Sequence, residues 1–324
     1  MIISRTPLRI SFAGGSTDLP SFYERFGGKV ISSAIDKYIY VTVNKKFDDE
    51  IRVGYSVTEI TGSVDEIKHE LVRESLRTVG ISKQVEITTI GDVPGRGTGL
   101  GSSSTLTVGL LNALHAFKGK MTSPEQLASE SCHIELDVLH EPIGKQDQYI
   151  AAFGGFQVIK FNKDGSVFVD PVICKSDTKS ELQGQLLLFY TGLSRKAGSV
   201  LKTVKPDQEA RIETMLEMKE QVDRIRHCLV HDDVSEIGKI HHDGWELKKR
   251  TSDKVTNIAI DRLYERARKA GATGGKITGA GGGGFLMLFC PKAKQDAVRK
   301  ALRELRELEF SFEPKGSTII FVGK

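Results

Sequence analysis

A chain of 324 residues that is 39% hydrophobic and 27% charged has the composition of an ordinary soluble globular protein, and two domains are the expected division of that length. The net charge of +4 arises from 46 basic and 42 acidic residues spread along the chain. No run of like charge is long enough for a nucleic-acid arm or a polybasic membrane anchor, so neither nucleic acid nor membrane is an expected partner, whereas anionic small molecules are. Cys132, Cys174, Cys228 and Cys290 stand alone, with no zinc-type pair or disulfide ladder. The N-terminus "MIISRTPLRI" lacks a signal-like apolar region, and no apolar run approaches the roughly 20 residues that span a bilayer. A reducing cytoplasm is the expected setting.

The first element, Ile2 to Ile10, reads as a strand in which Arg5 and Arg9 alternate with Leu8 and Ile10; in "RTPLRISFAGGSTDLP" it runs into Gly14, Gly15 and Asp18. By itself this is an edge strand with exposed arginines, or else a strand that sets Arg9 beside an active carboxylate and Asp18 against substrate hydroxyls. A second strand covers Val30 to Val43. "SVDEIKHELVRESLRTVG" predicts a helix that opens with Ser63 and Glu66 in capping-box spacing and closes at Gly80.

Val85 to Ile90 is the next strand, and "PGRGTGLGSSS" follows it with four glycines and three serines in eleven residues. The apolar "LTVGLLNAL" comes next, which predicts a helix whose first turn presents unpaired backbone N–H groups, with glycines that let a polyanion approach. Pro94, Gly95, Gly97, Gly99, Leu100 and Gly101 thus form a candidate phosphate cradle. Ser102, Ser103 and Ser104 can offer hydroxyls to phosphate oxygens or to magnesium. The stretch is not a P-loop of the usual kind, because it lacks the lysine followed by Ser or Thr. Alone, it could also be a plain loop with a serine N-cap.

"SPEQLASESCHIELDVL" predicts a helix with Ser123 as N-cap and Pro124 at its first position. In "ESCHIELDVLHEPIGKQDQY", Glu135 lies on that helix and Asp147 follows twelve residues later between Gln146 and Gln148. Phosphoryl transfer needs one carboxylate for magnesium and another to receive or orient the attacking hydroxyl's proton, although surface carboxylates are common. Strands are expected at Phe156 to Phe161 and Gln185 to Tyr190. From Pro206 to about Ala270 the pattern is helical, with breaks near His231 to Val234 and Thr251 to Asp253 and an end at Gly271. A domain boundary near residues 170 to 180 divides a strand- and glycine-rich part, 1–175, from a helix-rich part, 176–324. A second glycine cluster, "GGKITGAGGGGFLMLF", exceeds what a bulged hairpin turn needs and suggests close approach of backbone to a ligand or another loop. The single tryptophan, Trp245, is expected in the core rather than stacked on substrate. His241 and His242 are adjacent and make a poor metal pair, one expected in the core and the other at the surface.

These pieces, in this order, resemble the GHMP small-molecule kinases, the superfamily of galactokinases, homoserine kinases and mevalonate kinases. The resemblance rests on "TPLRISFAGGSTD", on Pro94 with Gly99 to Ser103, and on "KITGAGGGGF". It implies an α+β fold in two domains, the first like the second domain of ribosomal protein S5 and the second helix-rich, with ATP and sugar in the cleft between them. It further implies Ser103 and Glu135 as magnesium ligands, Asp147 as the catalytic carboxylate, and Arg9 as the cation that keeps Asp147 ionised. Gly279 and Gly281 of the second cluster fall to the substrate side. Galactokinases carry an acidic residue and a histidine where this chain has Gly15 and Ser16, so Asp18 is kept while bulk and a negative charge are gone. Together with "YTGLSRKAGSVL" and "WELKK", that form looks most like kinases that phosphorylate the anomeric hydroxyl of D-glycero-D-manno-heptose 7-phosphate. The substrate's own phosphate would need cations, for which Arg195, Lys196, Lys248 and Arg96 are candidates unless they are solvated surface charges. A fucokinase-like enzyme acting on an unphosphorylated sugar would share every motif. A silent sugar sensor would show damage at Glu135 or Asp147, and there is none. The sequence is open as to whether two chains pair in a homodimer.

Overall fold

The computed structural model describes residues 1–95, 97–193, 200–203 and 209–323. The chain opens with two long strands, β1 (Ile2–Ala13) and β2 (Gly28–Lys45), joined through the short helix α1 (Pro20–Phe26). Both are rich in β-branched and aromatic residues, which fit a pleated surface. They pair antiparallel from Ile2 opposite Val43 to Ala13 opposite Ile31, with an irregularity between Pro7 and Leu8. The length of β2 lets it serve two partners on its other edge. Gly28–Ser33 pairs with β6 (Phe156–Phe161), and Ile39–Lys45 pairs with β5 (Val85–Gly91). Beyond β5 lie β3 (Ile51–Gly54), which runs parallel to it, and β4 (Thr58–Thr61); β7 (Val167–Pro171) extends the sheet beyond β6. The parallel pair requires a crossover, supplied by α2 (Glu70–Val79).

Helices α3 (Ser102–Phe117), α4 (Pro124–Cys132) and α5 (Gln146–Phe153) join α2 in packing around this sheet, with α3 lying against β1 and β2. Gly109 lets α3 come close enough for the Ser4 hydroxyl to donate to the Gly109 carbonyl at 2.8 Å. A second sheet is antiparallel throughout, in the order β11 (Arg306–Glu307), β8 (Leu186–Tyr190), β10 (Phe285–Phe289), β9 (Gly274–Ile277). Its part of the chain carries α6 (Ser176–Gly184), α7 (Glu209–Val230), α8 (Val234–Thr251), α9 (Ile258–Ala270) and α10 (Gln295–Ala301). One apolar cluster crosses between the two parts. Phe12, Ile31 and Val158 of the first sheet share it with Val222 of α7, Ile240 of α8 and Phe289 of β10.

The five expected strands are all present, as are the breaks in the long helical region and its end at Gly271, which adopts the left-handed conformation of a helix stop. Two expectations require correction. Ser63 does not open the long helix: its side chain caps a single 3₁₀ turn, Val64–Glu66, by accepting from the Asp65 N–H, and α2 begins only at Glu70. The 176–324 part is also not a closed unit, because β12 (Thr318–Val322) returns to pair antiparallel with β1 at the edge of the first sheet. Trp245 is fully buried among the residues around β9 and β10, in keeping with a core role. His241 is buried and its pKa is pushed down to about 3 by desolvation, whereas His242 is half-buried and shares a 2.9 Å hydrogen bond with the Tyr264 hydroxyl.

Candidate active site

The strand-to-helix turn at Gly101 organises the site. Gly101 has φ of 81°, and a Cβ there would lie 3.3 Å from both the Arg9 Cγ and the Asp147 carboxyl, so only glycine allows this approach. It starts α3, whose first N–H groups at Ser102, Ser103 and Ser104 have no intrahelical acceptor and face the same corner. The three hydroxyls do not behave alike. Ser103 is exposed, but Ser102 and Ser104 are buried: Ser102 shares a 3.2 Å contact with Thr98, and Ser104 donates to Glu135 at 2.7 Å. Of the three residues expected to reach phosphate, only Ser103 is exposed.

Arg9, held on β1 with 3% exposure, donates from Nε and from a terminal nitrogen to the two Asp147 oxygens, both at 2.7 Å. Its remaining nitrogen donates to the Gly99 carbonyl at 2.5 Å. This two-pronged ion pair fixes the plane of the carboxylate while each oxygen keeps a second lone pair. Asp147 sits in the first turn of α5, so three consecutive residues of that turn address two acids and an arginine. Gln146 donates to Asp18, Asp147 pairs with Arg9, and Gln148 donates to Glu135.

Glu135 lies in a widened π-type turn, His133–Val138, that continues α4, and it is fully buried. Burial raises its pKa to about 7, against the opposing effect of hydrogen bonds from Ser104, Thr107 and Gln148; the Asp147 charge adds to the rise. Thr107 donates to Oε1 at 2.9 Å and Ser103 approaches the same oxygen at 3.4 Å. Thr107 and Gln148 as supports of Glu135 are invisible in the sequence, because they come from different elements than the residue they hold. Among the described residues no three His, Cys, Asp or Glu side chains form a preformed metal cage. Both Glu135 oxygens accept two hydrogen bonds each, so magnesium, which takes one or two protein oxygens and completes its shell with phosphate and water, fits only in place of the long Ser103 contact on Oε1.

Asp18 is buried, and burial together with the Asp147 charge raises its pKa to about 6. Gly15 and Ser16 precede it in the loop after β1, and a Cβ at Gly15 would find only the Gln146 amide, at 3.9 Å. Lys248 reaches in from α8, where it is buried rather than a surface charge, and donates to the carbonyls of Ile277 and Gly279. Burial and the nearby Arg9 push its pKa down to about 7, against the pull of Asp18. Lys276 of β9, which sequence reasoning passed over, is also buried and donates to the Phe12 carbonyl at 3.0 Å; burial, then Lys248 and Arg9, hold its pKa well below the ordinary value. Gly279 meets the Gly99 backbone, and Gly281 meets Val255. Both therefore line contacts within the protein. Pro94, Gly95 and Gly97 lie on the loop that leads to Gly101. Arg96, Arg195 and Lys196 fall outside the described residues.

Comparison with known proteins agrees with this geometry. Residues 66–155 match the family model "GHMP kinases N terminal domain" and residues 225–307 match "GHMP kinases C terminal". D-glycero-alpha-D-manno-heptose 7-phosphate kinase of Campylobacter jejuni is 31% identical over 97% of each chain. The bifunctional fucokinase/GDP-fucose pyrophosphorylase of Arabidopsis thaliana is 27% identical over 95% of this chain but only 31% of that protein. A crystal structure described as a D-glycero-D-manno-heptose 1-phosphate kinase from Bacteriodes thetaiotaomicron superposes over the whole of both chains with a TM-score of 0.84 at 26% identity. With its glycine turn, its Arg9–Asp147 pair and its buried Glu135 in one corner, and with relatives matched along nearly its full length, this chain belongs to the GHMP kinase family.

Proposed function

We propose that the protein is an ATP-dependent carbohydrate kinase that transfers the γ-phosphoryl group of ATP to the anomeric hydroxyl of D-glycero-D-manno-heptose 7-phosphate, giving the 1,7-bisphosphate for nucleotide-activated heptose synthesis. The observation that carries this reading is the place of the Asp147 carboxyl, 3.3 Å from where a Cβ on Gly101 would be. The group that takes or orients a hydroxyl proton thereby borders the helix terminus that receives a polyanion. Two of the matches that span nearly the whole chain carry names that specify a phosphorylated heptose, a 7-phosphate in one and a 1-phosphate in the other. A chain with Gly15 in place of an acid suits such an anionic acceptor, since a Cβ there would find only the Gln146 amide, at 3.9 Å.

In this mechanism the ATP phosphates lie against the first turn of α3 and the Ser103 hydroxyl. Arg9 holds Asp147 so that a free lone pair faces the acceptor hydroxyl, with Gly15, Ser16 and Asp18 on the sugar side. Glu135 and Ser103 would hold magnesium, whose charge would offset that of the phosphates. Arg195 and Lys196 are the cations for the sugar's own phosphate, joined by Lys248 where a bound anion restores its proton, and Arg195 comes first because a guanidinium matches phosphate with forked donors. No helix is long and apolar enough to cross a membrane among the described residues, and the substrates are those of a cytoplasmic enzyme.

The test is ADP release with a panel of sugars. Heptose 7-phosphate is expected to give the highest kcat/KM, and Arg195→Ala to raise its KM at least tenfold, about 1.4 kcal/mol, with the KM for ATP unchanged. The similarity to the fucokinase sustains a second reading, a kinase for an unphosphorylated sugar. Fucose or galactose turned over as well as the phosphate ester would decide for it.

A further inference from the structure

Asp18 has few lone pairs left to offer a sugar. An ionised carboxylate has about four acceptor positions. The Ser16 N–H takes one on Oδ1 at 3.0 Å, and the Gln146 N–H and side-chain amide take two on Oδ2 at 3.2 and 3.1 Å. The Asp18 main-chain carbonyl is engaged as well, accepting from the Lys145 N–H at 3.3 Å. The other side of this contact is shaped to receive the carboxylate. Gly144 leaves the space, since a Cβ there would fall 1.9 Å from the Asp18 Oδ2. Ser16 is held at φ of 77°, a conformation uncommon for a residue with a side chain, and that turn carries the N–H which meets Oδ1. The Ser16 bond braces the carboxylate within its own turn; the Lys145 and Gln146 bonds and the Gly144 approach join that turn to residues 144–146, and the next residue is Asp147.

We infer that Asp18 and Gln146 form a clasp that positions Asp147. The clasp fixes the entry to α5 by two backbone N–H groups and one amide, while Arg9 fixes the carboxylate itself; between them they leave Asp147 one orientation relative to the head of α3. Asp18 and Gln146 are thus positioning residues, acting on the reaction through the segment 144–147. The inference rests on the reading of Asp147 as the group that handles the acceptor proton.

The test uses the acceptor that the wild-type enzyme turns over best, whichever sugar that is, and compares Gln146→Met, Gly144→Ala and Asp147→Asn. Gln146→Met removes the amide bond and leaves Asp18 in place; Gly144→Ala displaces the carboxylate. Both are expected to lower kcat at least tenfold with the KM for the acceptor within about threefold of wild type, because a misplaced catalytic group costs rate rather than binding. Should Gly144→Ala fail to fold, Gln146→Met carries the test. A raised KM with unchanged kcat would make the pair part of the sugar pocket and overturn the clasp, as would wild-type values for both constants in Gln146→Met. If Asp147→Asn keeps wild-type kcat, it is the underlying reading of Asp147 that fails. If Asp147→Asn is inactive while Gln146→Met is normal, only the clasp fails.

Discussion

Lys248 shows how an ordinary-looking charge becomes a sensitive one. In sequence it is one of two adjacent lysines near the end of a helical pattern, and nothing in that pattern says which of them is buried. Burial and the repelling charge of Arg9 hold its pKa near 7 instead of 10.5, although the carbonyls of Ile277 and Gly279 accept from its ammonium. The unfolded chain therefore binds a proton between about pH 7 and 10.5 that the folded chain has released. Unfolding free energy from this group must rise with pH across that window, by up to about 1.4 kcal/mol per pH unit. Denaturant unfolding of the ligand-free protein at pH 7.5 and 9 is expected to show this gain, and Lys248→Met to lose it while being more stable than wild type at pH 7.5. Lys276 shifts in the same direction, so the difference between wild type and variant is the informative quantity. Equal slopes in the two proteins would mean that Lys248 keeps its ordinary pKa. The same limit on legibility applies to Glu135: its carboxylate is visible as a candidate, but its supports Ser104, Thr107 and Gln148 become meaningful only after α3, α4 and α5 are brought together.

At the scale of elements, the two glycine clusters form one unit. The Thr98 carbonyl accepts from the Thr278 hydroxyl at 3.1 Å and from the Phe285 N–H at 3.2 Å, and a Cβ on Gly99 would lie 2.4 Å from the Thr278 carbonyl. The sequence indicated that so many glycines meant close approach, and the approach is in large part of one loop to the other. Strands such as β5 and β6 were legible because alternation reports a sheet face directly. The start of α2 was not, because Ser63 and Glu66 have the spacing of a capping box, yet the chain makes only one 3₁₀ turn there before Glu70. Gly99→Ala tests the coupling of the loops. With φ of 73° and no room for a methyl group, it must push the phosphate turn away from Thr278. The KM for ATP is expected to rise at least about tenfold, and the KM for the acceptor to change far less. An unaltered KM for ATP would show that the turn holds its shape without the second loop.

Over the whole molecule, the expected division at residues 175 and 176 is crossed by a strand and by an apolar cluster. The strand that closes the first sheet, β12, is five residues long and half-exposed to exposed, and its partner β1 lies at the opposite end of the chain, so no local pattern announces it. The face of the first sheet that carries Phe12, Ile31 and Val158 is covered by Val222, Ile225, Ile240 and Phe289 from the second part. The Phe12 ring lies 5.6 Å from that of His241, edge to face, and its carbonyl accepts from Lys276. A fragment of residues 1–175 would open the edge of β1 and uncover that face together, and large exposed apolar surfaces and open strand edges both favour association. Expressed alone, the fragment is expected to be insoluble, or to bind a hydrophobic dye and melt without a cooperative transition. The intact chain is expected to unfold in one calorimetric transition, since a core shared between both parts cannot be lost from one and kept in the other. Two separated transitions in the intact chain, or a sharp melt of the fragment, would show that the shared core contributes little and that the two parts are independently stable domains.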